Sequence, residues 1–172
     1  MIIFKILFIF LISYVSIHAN EKEDLLRGVI LERISQFVTY EDVGDNFLIC
    51  IYKDKEMTNI FDNLYKDRKH KGDNISIKNI SSIKKINGCD ILYVQNVTSS
   101  IKKNLFSKHQ DYTLLVTNEV EYLADGFMLA LYLQKSKIRF AINHKALLDA
   151  NLKINYRLLK VASKVINPVK NY

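Results

Sequence analysis

Two rhythms alternate along the chain: short continuous apolar runs, and apolar stripes that recur every three or four residues. Leu26, Ile30, Ile34, Phe37 and Val38 form the first stripe and predict an amphipathic helix over 21–39. Gly44-Asp45-Asn46 interrupts it. Phe47-Leu48-Ile49-Cys50-Ile51-Tyr52 is then a run without polar breaks, as expected of a strand buried on both faces. Met57, Ile60, Phe61 and Leu64 repeat at helical spacing as far as a basic turn around Gly72. Ile75, Ile77 and Ile80 predict a less buried strand at a sheet edge. Ile91–Val94 and Thr113–Val116 are two further buried runs, separated by a Ser/Lys-rich helix over 98–108. Strand and helix in this order predict an α/β fold, a parallel sheet with helices on its faces.

The last third changes character. Phe127–Leu133 and Lys137–Ile142 flank Gln134-Lys135-Ser136 closely enough for an antiparallel hairpin. In its second strand Ile138, Phe140 and Ile142 share one face, with Lys137, Arg139 and Ala141 on the other. Two short terminal helices follow. Asn143 is placed to N-cap 144–150 and Asn151 to end that helix in the left-handed conformation. Asn155 is placed to cap a helix over 156–166, with Leu158, Leu159, Ala162, Val165 and Ile166 as its buried stripe and Pro168 as its stop. Repeats and linkers are absent, so 20–172 reads as one domain.

Residues 1–19 stand apart. Lys5 is followed by the apolar Ile6–Ile17, then His18, Ala19 and the polar start Asn20-Glu21-Lys22-Glu23-Asp24. A short positive head, about a dozen apolar residues and a small residue before the polar start describe a cleavable secretory signal peptide ending at Ala19. An uncleaved anchor is the alternative, but the run is shorter than the ~20 residues of a spanning helix. The expectation is a mature, periplasmic chain beginning at Asn20.

Composition then adds little. The 172 residues are 49% hydrophobic and 25% charged, which excludes disordered and collagen-like classes. The net charge of +7 falls by one when Lys5 leaves with the leader. Export and the interspersion of Lys with Asp, Asn and Ser argue against nucleic acid. The densest basic cluster, Lys66–Asp73, reads as a solvated turn, with an anionic partner as the alternative.

Catalytic signatures are missing. The chain carries no HExxH, nucleophile elbow, Gly-rich phosphate loop or Cys/His cluster at metal-ligand spacing, so neither enzyme, metal nor cofactor is expected. Asp54 follows a buried run as a response-regulator phosphate acceptor does, but lacks the acidic pair for Mg²⁺. His70, His109 and His144 are scattered among lysines. The two cysteines say more. Cys50 lies inside one predicted strand and Cys89 just before another. If those strands are neighbours, a disulfide is feasible, and an oxidising compartment favours it. Closing a loop of about 40 residues would stabilise the fold by roughly 4 kcal/mol. Two buried free thiols are the other reading.

These residues resemble the YfiR family of periplasmic proteins, over nearly the whole mature chain. The hydrophobic strand with an Ile-Cys pair is matched by Phe47-Leu48-Ile49-Cys50, and the Gly/Cys-led strand by Gly88-Cys89-Asp90-Ile91-Leu92-Tyr93-Val94. The Arg-Phe-x-Ile-Asn motif with its Leu-Leu-x-x-Ala helix is matched by Arg139, Phe140, Ile142, Asn143, Leu158, Leu159 and Ala162. Departures are Asp90 for the usual His, Tyr40-Glu41 for an aromatic-Pro step and Gly126-Phe127 for Gly-Gly. Ala124 and Leu131 stand in the region of a second cysteine pair, so any redox behaviour rests on Cys50 and Cys89.

The resemblance implies a three-layer α/β sandwich that forms homodimers and has a regulatory role. Such a protein represses the periplasmic domain of an inner-membrane diguanylate cyclase, or another sensor protein, until an outer-membrane lipoprotein removes it. Arg139, Asn143 and Arg157 are the candidate partner-binding residues. A structural ion pair for Arg139, a cap for Asn143 and a plain surface position for Arg157 are the alternatives. A periplasmic small-molecule sensor module is the rival function, with ten Tyr to line a pocket that the sequence does not place.

Overall fold

The computed structural model describes residues 20–40, 46–106 and 111–167; the leader and Pro168 lie outside them. Helix α1 covers 20–35. It is followed by β1 (Val38–Thr39), β2 (Asn46–Tyr52), α2 (Lys55–Tyr65), β3 (Lys69–His70), β4 (Asp73–Ile80), β5 (Ile91–Val94), α3 (Ser99–Phe106) and β6 (Leu114–Thr117). The chain ends with β7 (Leu129–Gln134), β8 (Lys137–Asn143), α4 (His144–Asp149), β9 (Lys153–Ile154), α5 (Tyr156–Val161) and β10 (Lys164–Ile166). Single 3₁₀ turns precede β5 (Ile83–Lys85) and β7 (Val120–Leu123).

Eight strands form one sheet in the order β10-β8-β7-β6-β5-β2-β4-β3. The run from β4 to β7 is parallel. β5 and β6 are buried on both faces, which is why their sequences carry no polar alternation. Beside the two-residue edge strand β3, β4 alternates between half-buried and exposed positions, as the spacing of Ile75 and Ile77 requires. The β7–β8 hairpin turns on Lys135 and Ser136, both left-handed at φ 49° and 59°. Asn143 and Asn155 cap α4 and α5, and Asn151 is left-handed at φ 59°.

Two helix expectations are corrected. The first helix stops at residue 35 rather than 39, and Val38-Thr39 pairs antiparallel with Ile154 and Lys153 as a small second sheet. Its buried face is Arg27, Gly28, Leu31, Ile34 and Ser35, while Leu26 and Phe37 are 44% and 43% exposed. Gly28 lies on this face, close against α2. A Cβ there would meet Leu64 Cδ2 at 2.6 Å and the Phe61 ring at 3.0 Å, so a larger residue would push these α2 side chains aside. The Tyr65 hydroxyl donates to the Gly28 carbonyl at 2.5 Å.

The last helix ends at Val161 instead of 166. Ala162 is extended (ψ 139°), and 164–166 pairs with Ala141–Asn143 as the edge strand β10. The open backbone edge of β8 competes with helix propensity here, and β-branched Val165 and Ile166 suit a strand.

The basic turn is not wholly solvated either. His70 is fully buried and stacks on Phe47 at 3.7 Å between ring centroids, with Tyr40 edge-on at 5.7 Å. Its Nδ1 lies 3.2 Å from Ser35 Oγ, and its Nε2 has no partner among the described residues. Burial, then the Lys71 charge, push its pKa down to about 4, against the opposing Asp73. The unfolded chain therefore binds the proton first. Stability from this group should be full above about pH 6.5, fall as the pH drops toward 4, and level off below, a loss of about 3 kcal/mol. The difference in urea stability between wild type and His70→Phe across pH 4–7 checks this; a flat difference would refute it.

Candidate functional site

β2 and β5 are adjacent and parallel, with Cys50 opposite Leu92. That neighbourhood brings Cys89, in the turn before β5, to a Cα–Cα distance of 5.8 Å from Cys50, and the two form a disulfide. Cys50 is fully buried and Cys89 4% exposed. The surrounding backbone is braced on both sides. Asp90 N–H donates to the Leu48 carbonyl at 2.9 Å, and Leu48 N–H donates to the Asp90 carboxylate at 2.7 Å. Thr113 Oγ1 donates to the Cys89 carbonyl at 2.8 Å. Burial raises the Asp90 pKa, and hydrogen bonds from backbone N–H groups, Leu48's first, oppose this. Asp90, at the position where a His was expected, ties the start of β5 to β2.

The second constellation lies at the C-terminal end of the sheet. Arg139 is exposed on β8, opposite Tyr132, on the face away from the one shared by Leu131, Leu133, Ile138 and Phe140. It has no hydrogen-bond or ion-pair partner among the described residues. Tyr132 Oη lies 2.9 Å from Ser163 Oγ, which joins the Arg139 face of the hairpin to the segment just after α5.

Asn143 is 4% exposed, and both ends of its amide are engaged. Its Oδ1 accepts from Ala146 N–H at 3.1 Å, and its Nδ2 donates to the Leu123 carbonyl at 2.8 Å. Arg157 is exposed on α5. Positions 156, 157, 160 and 161 share the outer face of that helix. Tyr156 and Val161 are 64% and 69% exposed there, and Lys160 Nζ sits 4.8 Å from the Tyr156 ring centroid. Arg139 and Arg157 are thus both exposed, on β8 and on α5, whereas Asn143 is buried as the cap of α4. Tyr156 and Val161 escaped the sequence reading because a helix continued to 166 draws attention to its buried stripe.

A third group had no sequence signal at all. Arg27 is 8% exposed in α1, with Nη1 on Asp24 at 2.7 Å, Nη2 on Glu23 at 3.2 Å, and Nε donating to the Leu131 carbonyl at 3.3 Å. Burial raises the pKa of Asp24, with hydrogen bonds from Arg27 and then Gln95 acting against it. The cluster locks α1 across the middle of the sheet.

Solved structures share the fold. A conserved domain protein from Vibrio cholerae aligns with a TM-score of 0.53 and 11% identity over 83% of this chain and 60% of its own. The ABC domain in complex with L-Trp from Streptococcus pneumoniae aligns with a TM-score of 0.52 and 12% identity over 70% and 55%. At such identities the likeness is one of fold alone, and this chain spans little more than half of each. No curated protein matches the sequence. Among the described residues no helix is long and apolar enough to cross a membrane. The profile of one family, described as YfiR/HmsC-like (DUF4154), matches residues 25–163, and by that span, which takes in the disulfide, the hairpin and α5, the chain belongs to the YfiR/HmsC-like family.

Proposed function

We propose that the protein is an exported, non-enzymatic regulator that binds the periplasmic domain of an inner-membrane diguanylate cyclase and holds it inactive. The observation that carries this reading is family membership across residues 25–163. The leader over 1–19 is removed on export. A second copy of the chain and an outer-membrane lipoprotein complete the system, the latter relieving repression by competing for the regulator.

Repression is a matter of differential affinity. An enzyme half active on its own is held about 99% inactive only if the inactive state binds the regulator about 100-fold more tightly, some 2.7 kcal/mol. A handful of well-placed contacts supplies that much. Exposed Arg139 and Arg157, with Tyr156 beside Arg157, are the residue types that carry such contacts. Asn143 serves by holding α4 in place.

Arg139→Ala should therefore weaken repression about tenfold or more while changing stability by no more than about 0.5 kcal/mol, as at other exposed positions. Cyclic di-GMP in cells carrying the variant, set beside its urea melt, makes the comparison. Asn143→Ala should show the reverse, a loss of about 1–3 kcal/mol for the cap and the buried amide. Full repression by Arg139→Ala would remove Arg139 from the partner surface. Co-purification from solubilised inner membranes, with no cyclase recovered and no rise in cyclic di-GMP on deletion, would overturn the function itself.

A further inference from the structure

The strand order contains a reversal. From β2 the chain passes through α2 to β4 on one side, whereas β5, on the other side of β2, leads through α3 to β6. The two crossovers leave in opposite directions, so a crevice opens beyond the carboxyl ends of β2 and β5. Open α/β sheets bind ligands at this position.

Two adjoining cavities share Tyr52, Lys53 and Ser100: one of about 340 Å³ at the ends of β2 and β5, and one of about 440 Å³ that extends from the end of β2 between the β4–β5 connection and α3. The larger is further lined by Ser81, Ser82 and Lys84, and it contains two lysines and no acid. The smaller includes Asp54, whose Oδ1 is already used in accepting from Met57 N–H at 2.9 Å. Lys53 is held in the left-handed conformation at φ 51°, with its N–H donating to the Ile80 carbonyl at 3.0 Å and its ammonium 5.3 Å from the Tyr52 ring centroid. A lysine adopts that backbone rarely, so the turn that presents it carries strain.

We propose that this crevice binds a small hydroxylated anion. Lys53 and Lys84 meet its carboxylate or phosphate, and Tyr52, Ser81, Ser82 and Ser100 meet its hydroxyls. The cavity falls within the size range of small-molecule sites, and its lining supplies ammonium and hydroxyl donors with one aromatic wall. This inference rests on the crevice alone and stands whether or not the protein represses a cyclase.

Isothermal titration of the purified protein at fixed ionic strength tests it, with gluconate, glucose 6-phosphate, inorganic phosphate and glucose as probes. At least one hydroxylated anion should bind with a dissociation constant below about 1 mM, and glucose should not. Gluconate against glucose 6-phosphate tells a carboxylate site from a phosphate site. Lys53→Asn with Lys84→Gln should weaken binding about tenfold or more with an unchanged melting temperature, because Asn accepts the left-handed backbone. Lys22→Gln with Lys137→Gln, far along the hairpin side, should leave binding intact. The proposal is overturned if neither hydroxylated anion binds, if the Lys53/Lys84 variant binds as well as wild type, or if inorganic phosphate binds as tightly as both.

Discussion

Replacing Arg27 by Ala should destabilise the fold by about 3–5 kcal/mol, the range for removing one member of a buried ion pair. The guanidinium uses three nitrogens on three acceptors: Asp24, Glu23 and the carbonyl of Leu131. Without it, Asp24 stays half-buried with Gln95 Nε2 as a remaining donor at 3.3 Å, and the Leu131 carbonyl loses the guanidinium. Because burial already disfavours the Asp24 carboxylate, the missing cation raises the cost of keeping it charged. Adding Asp24→Asn to the Arg27→Ala protein should then recover part of the loss, since the two residues share one network. Urea unfolding of the two single variants and the double variant measures this. A loss below about 1 kcal/mol for Arg27→Ala would mean that α1 is held by Leu31 and Ile34 packing alone.

The fold was legible wherever burial leaves a compositional mark. The runs through Cys50, Leu92 and Leu115 are apolar because both sheet faces are covered, and their order in the chain predicts a parallel sheet with helices on it. Misreadings arose where the decisive contact has no hydrophobic signature. Gly28 contributes nothing to an apolar stripe, yet its position is where α1 packs closely on Leu64 and Phe61 of α2. Arg27 reads as a surface charge until its partners are seen. The end of α5 turns on a tertiary competition, the open edge of β8, that helix propensity does not contain. Of the candidate residues, the cysteines were the most legible, since a disulfide needs only adjacency of two strands already recognised. Asn143 was legible as a cap. The tie between the hairpin and the segment after α5 was not, because it depends on Ser163 reaching both Tyr132 and the Phe140 carbonyl.

Loss of the Cys50–Cys89 bond should have an effect as large as that of Arg27. Cross-linking positions 39 residues apart removes freedom from the unfolded chain, worth about 4 kcal/mol in the chain-entropy account. Changing both cysteines to Ala should therefore lower urea stability by about that amount, without change of fold. Thiol labelling of the denatured, unreduced protein should find no reactive sulfur.

The placement of the bond also decides how it responds to reductant. Both sulfurs lie in the core, beneath backbone braced by Asp90 and Thr113, so a thiolate reaches them only when β5 parts from β2. Reduction by dithiothreitol should then be slow in the native protein and accelerate with added urea, tracking the opening of the sheet. On this account a reducing environment would lower the stability of the fold, and any condition that keeps the sheet closed would protect the bond. Rapid reduction of the native protein, with the same rate at all sub-denaturing urea concentrations, would instead mark an accessible bond whose state is set directly by the redox conditions around it.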